Sequence, residues 1–311
     1  MKRIFAFFSC VFSLVGGYTQ TAEELYTQAE VKYKEKEYNE AVKLYTKAID
    51  KQKDSCKYFA DRGRTYGELK LWAAALDDYD KAVSLRKNYW YPYQGRAILL
   101  QKMGRHEFSL KDYDMMLKLA PSDDIKKEVY INNAMNHAIL KDLDAAYNDC
   151  MKALEIDSLC AAAYANLGNV MLAQENPEKA LGYFLKSYRL DSTHISILSD
   201  LGFIYGKLEK YTEAILYLNK SIKMNPGEAV PYNNRGYAKL KTGDLEGALE
   251  DVNKSLKLFP ENSYAYRNRA LVYIEQKKLS KACKDMEEAL KYGFSKYYGN
   301  EVEKLLQQYC K

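Results

Sequence analysis

Proline and glycine are scarce in this chain of 311 residues, at 6 and 16, too few for a loop-rich or all-β protein. Histidine occurs three times, as His106, His137 and His194. None stands at metal-ligand spacing from Cys, Asp or Glu, so no metal is expected. There is no glycine-rich phosphate loop and no serine set between glycines, which removes the usual signs of nucleotide, cofactor or nucleophile chemistry. Acidic pairs such as Asp77-Asp78 and Asp123-Asp124 fit pairing and turn chemistry better than acid/base catalysis. The charge excess is slight: 47 basic against 42 acidic residues, net +5, too weak to indicate nucleic acid. What is abundant is apolar sequence (47%) together with charge (29%), enough for a sizeable core in a soluble, helical, non-enzymatic protein. Tyrosine stands out at 29 against 10 Phe.

The start of the chain reads differently from the rest. Lys2 and Arg3 precede a mostly apolar run, Ile4–Val15, followed by Gly16-Gly17 and polar Thr19-Gln20. That is the layout of a secretory signal peptide over residues 1–19, and the run is too short to span a bilayer. Export to a periplasmic or extracellular location is expected. A lipid-attachment role for Cys10, or an uncleaved apolar start on a cytosolic protein, are the alternatives.

From Ala22 onward the sequence repeats every 34 residues. Counting Ala22 as position 1, position 8 is Gly or Ala in eight copies: Ala29, Gly63, Ala97, Ala134, Gly168, Gly202, Gly236 and Ala270. Position 20 is Ala or Ser in all eight, position 27 is small except at Met116, and position 4 is always bulky. Small residues let helices approach while a large knob fills the adjacent gap. The period and this pattern resemble the tetratricopeptide repeat (TPR) family, whose unit is helix, turn, helix. The resemblance spans residues 22–294. It implies an all-α, right-handed superhelical solenoid of about eight units, at 22–55, 56–89, 90–126, 127–160, 161–194, 195–228, 229–262 and 263–296, closed by a capping helix within 295–311. All six prolines sit where such repeats tolerate them: Pro92 and Pro231 in the first turn of a first helix, Pro177 opening a second helix, and Pro121, Pro226 and Pro260 between repeats. The single break in phase, Asp124–Lys126, reads as a longer connection between repeats three and four, and Asn300 with Glu303 reads as a capping box opening the last helix.

Comparing the copies with one another yields contacts. Position 7 is Arg62, Arg96, Arg235 and Arg269 in repeats two, three, seven and eight, where position 23 is Asp78, Asp112, Asp251 and Asp285. Repeats five and six carry Leu167 with Tyr183 and Leu201 with Tyr217 instead. Positions 7 and 23 are therefore expected to touch, as a partly buried charged pair or as an apolar one. A basic row for binding a partner is the alternative reading of the arginines.

The resemblance carries two further expectations. Stacking of the repeats brings the start of the last second helix near the end of the cap, which implies a Cys283–Cys310 disulfide in an exported protein and two free thiols in a reducing compartment. The concave face of such solenoids is lined by positions 2, 5, 6, 9, 12 and 13. Here these include Tyr26, Tyr33, Asp61, Arg64, Tyr91, Asn132, Asn166, Asn169, Asp200, Phe203, Asn234, Tyr237 and Asn268. Asn or Asp fills position 6 in six of eight repeats, a row able to grip an extended peptide backbone, although asparagine is common there in TPR units generally. The partner is then a protein or an extended peptide segment. Family members that clamp a chaperone's terminal carboxylate need Lys and Arg at these positions. Repeats one to three offer Tyr26, Glu30, Asp61, Tyr91 and Gly95, and repeats six to eight Ser199, Phe203, Asn234, Tyr264 and Asn268, so that clamp is disfavoured. The other reading is a structural assembly component that associates through its ends or faces.

Overall fold

The computed structural model describes residues 20–193 and 195–310; the expected signal peptide, residues 1–19, lies outside them, as do His194 and Lys311. Every regular element among the described residues is an α-helix. The chain divides at Leu119/Ala120 into two compact units. The first holds three helix pairs: α1 (Ala22–Lys34) with α2 (Tyr38–Lys51), α3 (Cys56–Glu68) with α4 (Trp72–Leu85), and α5 (Trp90–Lys102) with α6 (His106–Leu119). The second holds five: α7 (Asp123–Ile139) with α8 (Leu143–Ile156), α9 (Ala161–Ala173) with α10 (Pro177–Leu190), α11 (Ile195–Lys207) with α12 (Tyr211–Met224), α13 (Ala229–Lys241) with α14 (Leu245–Leu258), and α15 (Ser263–Glu275) with α16 (Leu279–Lys291). Two short helices follow, α17 (Phe294–Tyr298) and α18 (Glu301–Tyr309).

Side chains that bond free amides start many of these helices. Thr21 and Glu24 form a reciprocal capping box on α1, and Asn176 accepts from the Lys179 amide just ahead of Pro177 in the first turn of α10. Within each repeat the turn passes through one left-handed residue at position 15. It is Gly104 or Gly243 in two repeats but Lys36, Lys70, Lys141, Glu175, Glu209 and Lys277 in the other six, with φ between 57° and 64°. A left-handed residue bearing a Cβ costs about 1–2 kcal/mol, and a backbone bond from the next residue back to the helix, such as Glu37 N–H to the Lys32 carbonyl at 2.9 Å, closes each of these six turns.

Two expectations about boundaries change. Asp124–Lys126 does not lengthen a connection; it is the opening of α7, a helix of 17 residues where the other first helices have 13. Ser122 caps it, and Lys126 and Lys127 pair back to Asp123 and Asp124 at 2.8 and 3.3 Å. Acids in a first turn suit the positive end of a helix, so the inserted residues extend the helix, and repeat four begins at Asp123. The proposed capping box at the last helix is also absent. Gly299 turns the chain at φ 84°, leaving Asn300 outside the extended region that an N-cap requires, and its side chain makes no cap bond. Glu303 accepts from the Ser295 hydroxyl instead.

The core follows the small-and-large pattern of the repeats. Ala29, Ala41 and Ala48 are fully buried around Tyr45. In repeat five a Cβ on Gly168 would lie 2.4 Å from the Phe184 ring, so glycine at position 8 is what lets that ring enter. Phe184 joins Val170, Met171, Ile197, Leu198, Leu201 and Ile204 in one cluster that ties repeat five to repeat six.

Candidate functional site

The position-7 arginines are occupied within the fold. Arg62 donates through Nε and Nη2 to both carboxylate oxygens of Asp78, each at 2.8 Å. Arg96–Asp112, Arg235–Asp251 and Arg269–Asp285 repeat this two-point geometry at 2.5–2.8 Å. The third nitrogen, Nη1, reaches position 25 of the preceding repeat: Thr46, Asp80, Asn219 and Asn253 respectively. With both its ends engaged, this row is a device that joins repeats and leaves no basic face for a partner. In repeat four, where Asn133 replaces arginine, Asp149 Oδ2 stands 2.9 Å from His137 Nδ1 and accepts from it in the tautomer that carries the proton there.

In the first unit, Tyr26, Tyr33, Asp61, Arg64 and Tyr91 come together, but not all at the surface. Asp61 is 1% exposed and accepts from the Tyr26 hydroxyl at 2.8 Å and from the Tyr91 hydroxyl. Arg64 bonds Glu30 at 2.9 Å, lies 3.3 Å from Asp61, and stacks over the Tyr33 ring at 4.2 Å. Burial pushes the Asp61 carboxyl above the usual range against the opposing pull of Tyr91 and Arg64. Burial, reinforced by the neighbouring Asp61 charge, likewise raises the Tyr91 phenol. Tyr26 and Asp61 thus support the site from beneath and cannot themselves meet a partner. Tyr33, Arg64 and Tyr91 face a hollow of about 290 Å³ whose wall also includes Tyr79 and Lys102. Repeat three has Gly95 where six of the others have Asn or Asp; a Cβ there would lie 2.3 Å from the Tyr79 ring, which takes that space.

In the second unit most of the position-6 amides bond the protein itself. Asn132 Nδ2 donates to the Glu128 carbonyl of its own helix at 3.0 Å, and Asn166 Nδ2 to the Ile131 carbonyl of the preceding repeat at 3.0 Å. Asn268 is fully buried, donating to Asn233 Oδ1 at 2.9 Å and accepting from Arg267 at 2.8 Å. A continuous amide ladder open to a peptide backbone is therefore not formed, because the amides satisfy backbone and side-chain groups between neighbouring helices. Asn169 is exposed on α9, outside the hollows described below.

An open trough lies across α11, α13 and α15. Two adjoining hollows of about 310 and 230 Å³ share Phe203, Asn234 and Tyr264. Tyr237 and Tyr211 line the first, and Asp200, Val230 and Tyr298 the second. Phe203 is 37% exposed and Val230 55%, apolar area offered to solvent inside a concavity. Beneath it, Arg267 is 7% exposed and sits between the Tyr237 and Tyr264 rings, 5.3 and 5.5 Å from their centroids. Its Nε bonds Glu301 of α18 at 3.1 Å, with a second bond from Nη2. Burial raises the Tyr264 phenol, against the pull of Arg267. Tyr264 was within reach of sequence reasoning, since it occupies position 2, one of the concave-face positions. Tyr298 was not, because it lies on α17 outside the repeat period.

Cys283 and Cys310 are joined by a disulfide. Cys56, Cys150 and Cys160 are buried thiols, and burial pushes the Cys150 thiol up to about 12, the behaviour of a small core hydrophobe. Among the described residues no group of three His, Cys, Asp or Glu is placed to hold a metal ion, and no helix is long and apolar enough to cross a membrane.

Two family models, each for the tetratricopeptide repeat, match residues 159–227 and 233–295. The chain is 33% identical over 114 residues to serine/threonine-protein phosphatase 5 of Rattus norvegicus, covering 37% of this chain and 23% of that protein. It is 33% identical over 118 residues to Hsc70-interacting protein 1 of Drosophila melanogaster, 36% of this chain and 31% of that one. The matches thus span under a third of these relatives' own length. A tetratricopeptide repeat protein from Parabacteroides merdae superimposes with a TM-score of 0.67 at 19% identity, over 82% of this chain and 99% of its own. With the helix pairs, their small-residue contacts and these matches together, the chain belongs to the tetratricopeptide repeat family and carries multiple repeats.

Proposed function

We propose that the protein is a non-enzymatic interaction scaffold that seats an extended segment of a partner protein in the trough across α11, α13 and α15. The observation that carries this reading is the trough itself: the exposed face of Phe203 and the Tyr237 and Tyr264 rings surround the half-buried Asn234. Aromatic anchors in a concavity with one amide suit a peptide whose apolar side chains drop into hollows while its backbone bonds the amide. Hsc70-interacting protein 1, a relative, is named for a protein contact, which supports protein rather than small-molecule recognition. The test is selection of dodecamer peptides from a displayed library on the folded protein. Phe203→Ala with Asn234→Ala is expected to weaken the selected peptides about tenfold or more, as truncation of an interface anchor does. Lys186→Ala, outside the trough, should leave them unchanged. Peptides indifferent to the trough substitutions would sink this reading.

The same proposal places the mature chain outside the cytosol, in a periplasmic or extracellular setting. The basic, apolar and small-residue order of residues 1–19 supports it, and so does the Cys283–Cys310 disulfide. Intact mass of the natively expressed protein, with and without reduction and alkylation, checks it. The expected mass lacks the first 17–19 residues or so and has one protected cysteine pair. A full-length mass with every thiol free would overturn it.

A further inference from the structure

The trough is not built from repeats alone. Its wall includes Tyr298 of α17, whose ring stands 5.0 Å from Tyr264 and 5.1 Å from the fully buried Phe294, which itself stacks on Tyr264 at 5.8 Å. Among the described residues the carboxylate that pairs with the trough's buried cation, Arg267, is Glu301, on α18. Ser295 on α17 donates to Glu303 on α18, so the two short helices are tied together. A helix of nine residues has little stability by itself. It is held by Val302, fully buried against the α15–α16 core, by Leu305 and Leu306 packed partly buried beside it, and by one covalent link, Cys283 of α16 to Cys310 just past its last residue. Both cysteines are half-buried, neither fully enclosed by the core.

We propose that the Cys283–Cys310 disulfide is a redox latch on the trough: closed, it holds residues 294–310 as the wall and counter-charge of the peptide site; opened, it lets α18 leave and the site lose its shape. The inference rests on the trough being a peptide site. Opening is a two-electron exchange with a dithiol. The Cys283–Cys310 bond breaks, the dithiol's two sulfurs join in a disulfide of their own, and its two protons pass to Cys283 and Cys310. Once α18 departs, Arg267 loses Glu301 while remaining buried between two rings, and an uncompensated buried cation is a state the fold leaves by rearranging. Tyr237 and Tyr264, packed on that guanidinium, move with it. The site is then complete only where thiols are oxidised.

The test uses the full chain and a peptide selected on its oxidised form. Excess dithiothreitol is expected to weaken that peptide about tenfold or more, and Cys283→Ser with Cys310→Ser should match the reduced protein without further response to reductant. Tyr298→Ala, with the disulfide intact, is expected to weaken binding several-fold. Hydrogen exchange supplies a readout that needs no peptide: on reduction, residues 294–309 and α15 should lose protection while α9–α12 keep theirs. Affinity unchanged within about twofold on reduction, with Phe203→Ala and Asn234→Ala together still weakening binding about tenfold, would overturn the latch and leave the peptide site standing. Loss of protection in α9–α12 as well would mean general unfolding and would also overturn it. Selected peptides indifferent to Phe203→Ala would remove the site and the latch together.

Discussion

Asp251→Ala is expected to destabilise the second unit by about 3–5 kcal/mol, and Arg235→Leu with Asp251→Tyr to recover most of that loss. Asp251 accepts from Arg235 Nε and Nη2 at 2.7 and 2.5 Å and from Lys239 at 2.9 Å, and it is 3% exposed. Alanine leaves the arginine buried against a gap, without the carboxylate that offset its desolvation. Replacing both partners removes the charge and the gap together. The chain already contains that solution, since repeats five and six place Leu167 with Tyr183 and Leu201 with Tyr217 at the same positions. Position 25 of the preceding repeat follows the same rule: Asn219 meets Arg235, while Met151 and Leu185 precede the two leucine-bearing repeats. Adding Asn219→Leu to the double variant should therefore bring it closer still to the parent. Urea unfolding of the parent, both single variants and the double gives the coupling energy. A coupling below about 0.5 kcal/mol, the scatter of independent sites, would show that the pair does not act as a unit.

That prediction was legible because the chain contains its own alignment. Eight copies of one helix pair let Arg and Asp at positions 7 and 23 be seen to change together, and the structure brings those groups into contact. The third member, at position 25 of the repeat before, carried the same signal in Thr46, Asp80, Asn219 and Asn253, but only a comparison across repeat boundaries exposes it. Features outside the period were harder to read. Asp123–Lys126 is helical because of a local cap and two i,i+3 ion pairs, which a repeat register treats as an insertion. Tyr298 and Glu301 reach the trough by folding back after the last repeat, a long-range arrangement no spacing records. The amide row misled for a different reason. Asparagine bonds equally well to a peptide or to the neighbouring helix, and Asn166 and Asn268 are spent on the neighbour.

Phe184→Ala is expected to cost about 3–5 kcal/mol, the range for emptying a buried aromatic site, and to change how the second unit unfolds. The ring is fully buried in a cluster drawn from three repeats: Ala146 in repeat four, Val170, Met171 and Ala180 in repeat five, and Ile197, Leu198, Leu201 and Ile204 in repeat six. Gly168 cannot close the gap, having no side chain to offer. In a stack of repeats, stability is approximately a sum of each repeat's own terms and its interfaces with neighbours. A loss at repeat five therefore weakens the joint between repeats four and six rather than lowering every part equally. Circular dichroism in urea should then show two transitions, or one visibly broadened, where the parent shows a single steep one. Ala289→Gly, at the end of the last repeat, serves as the contrast, because a defect there frays one edge and leaves the rest cooperative. Hydrogen exchange locates the break: in Phe184→Ala, amides of α9 to α11 should lose protection before those of α13 to α16. Uniform loss across the unit, with one sharp transition, would mean that its repeats unfold as a single body and that the nearest-neighbour picture fails for this chain.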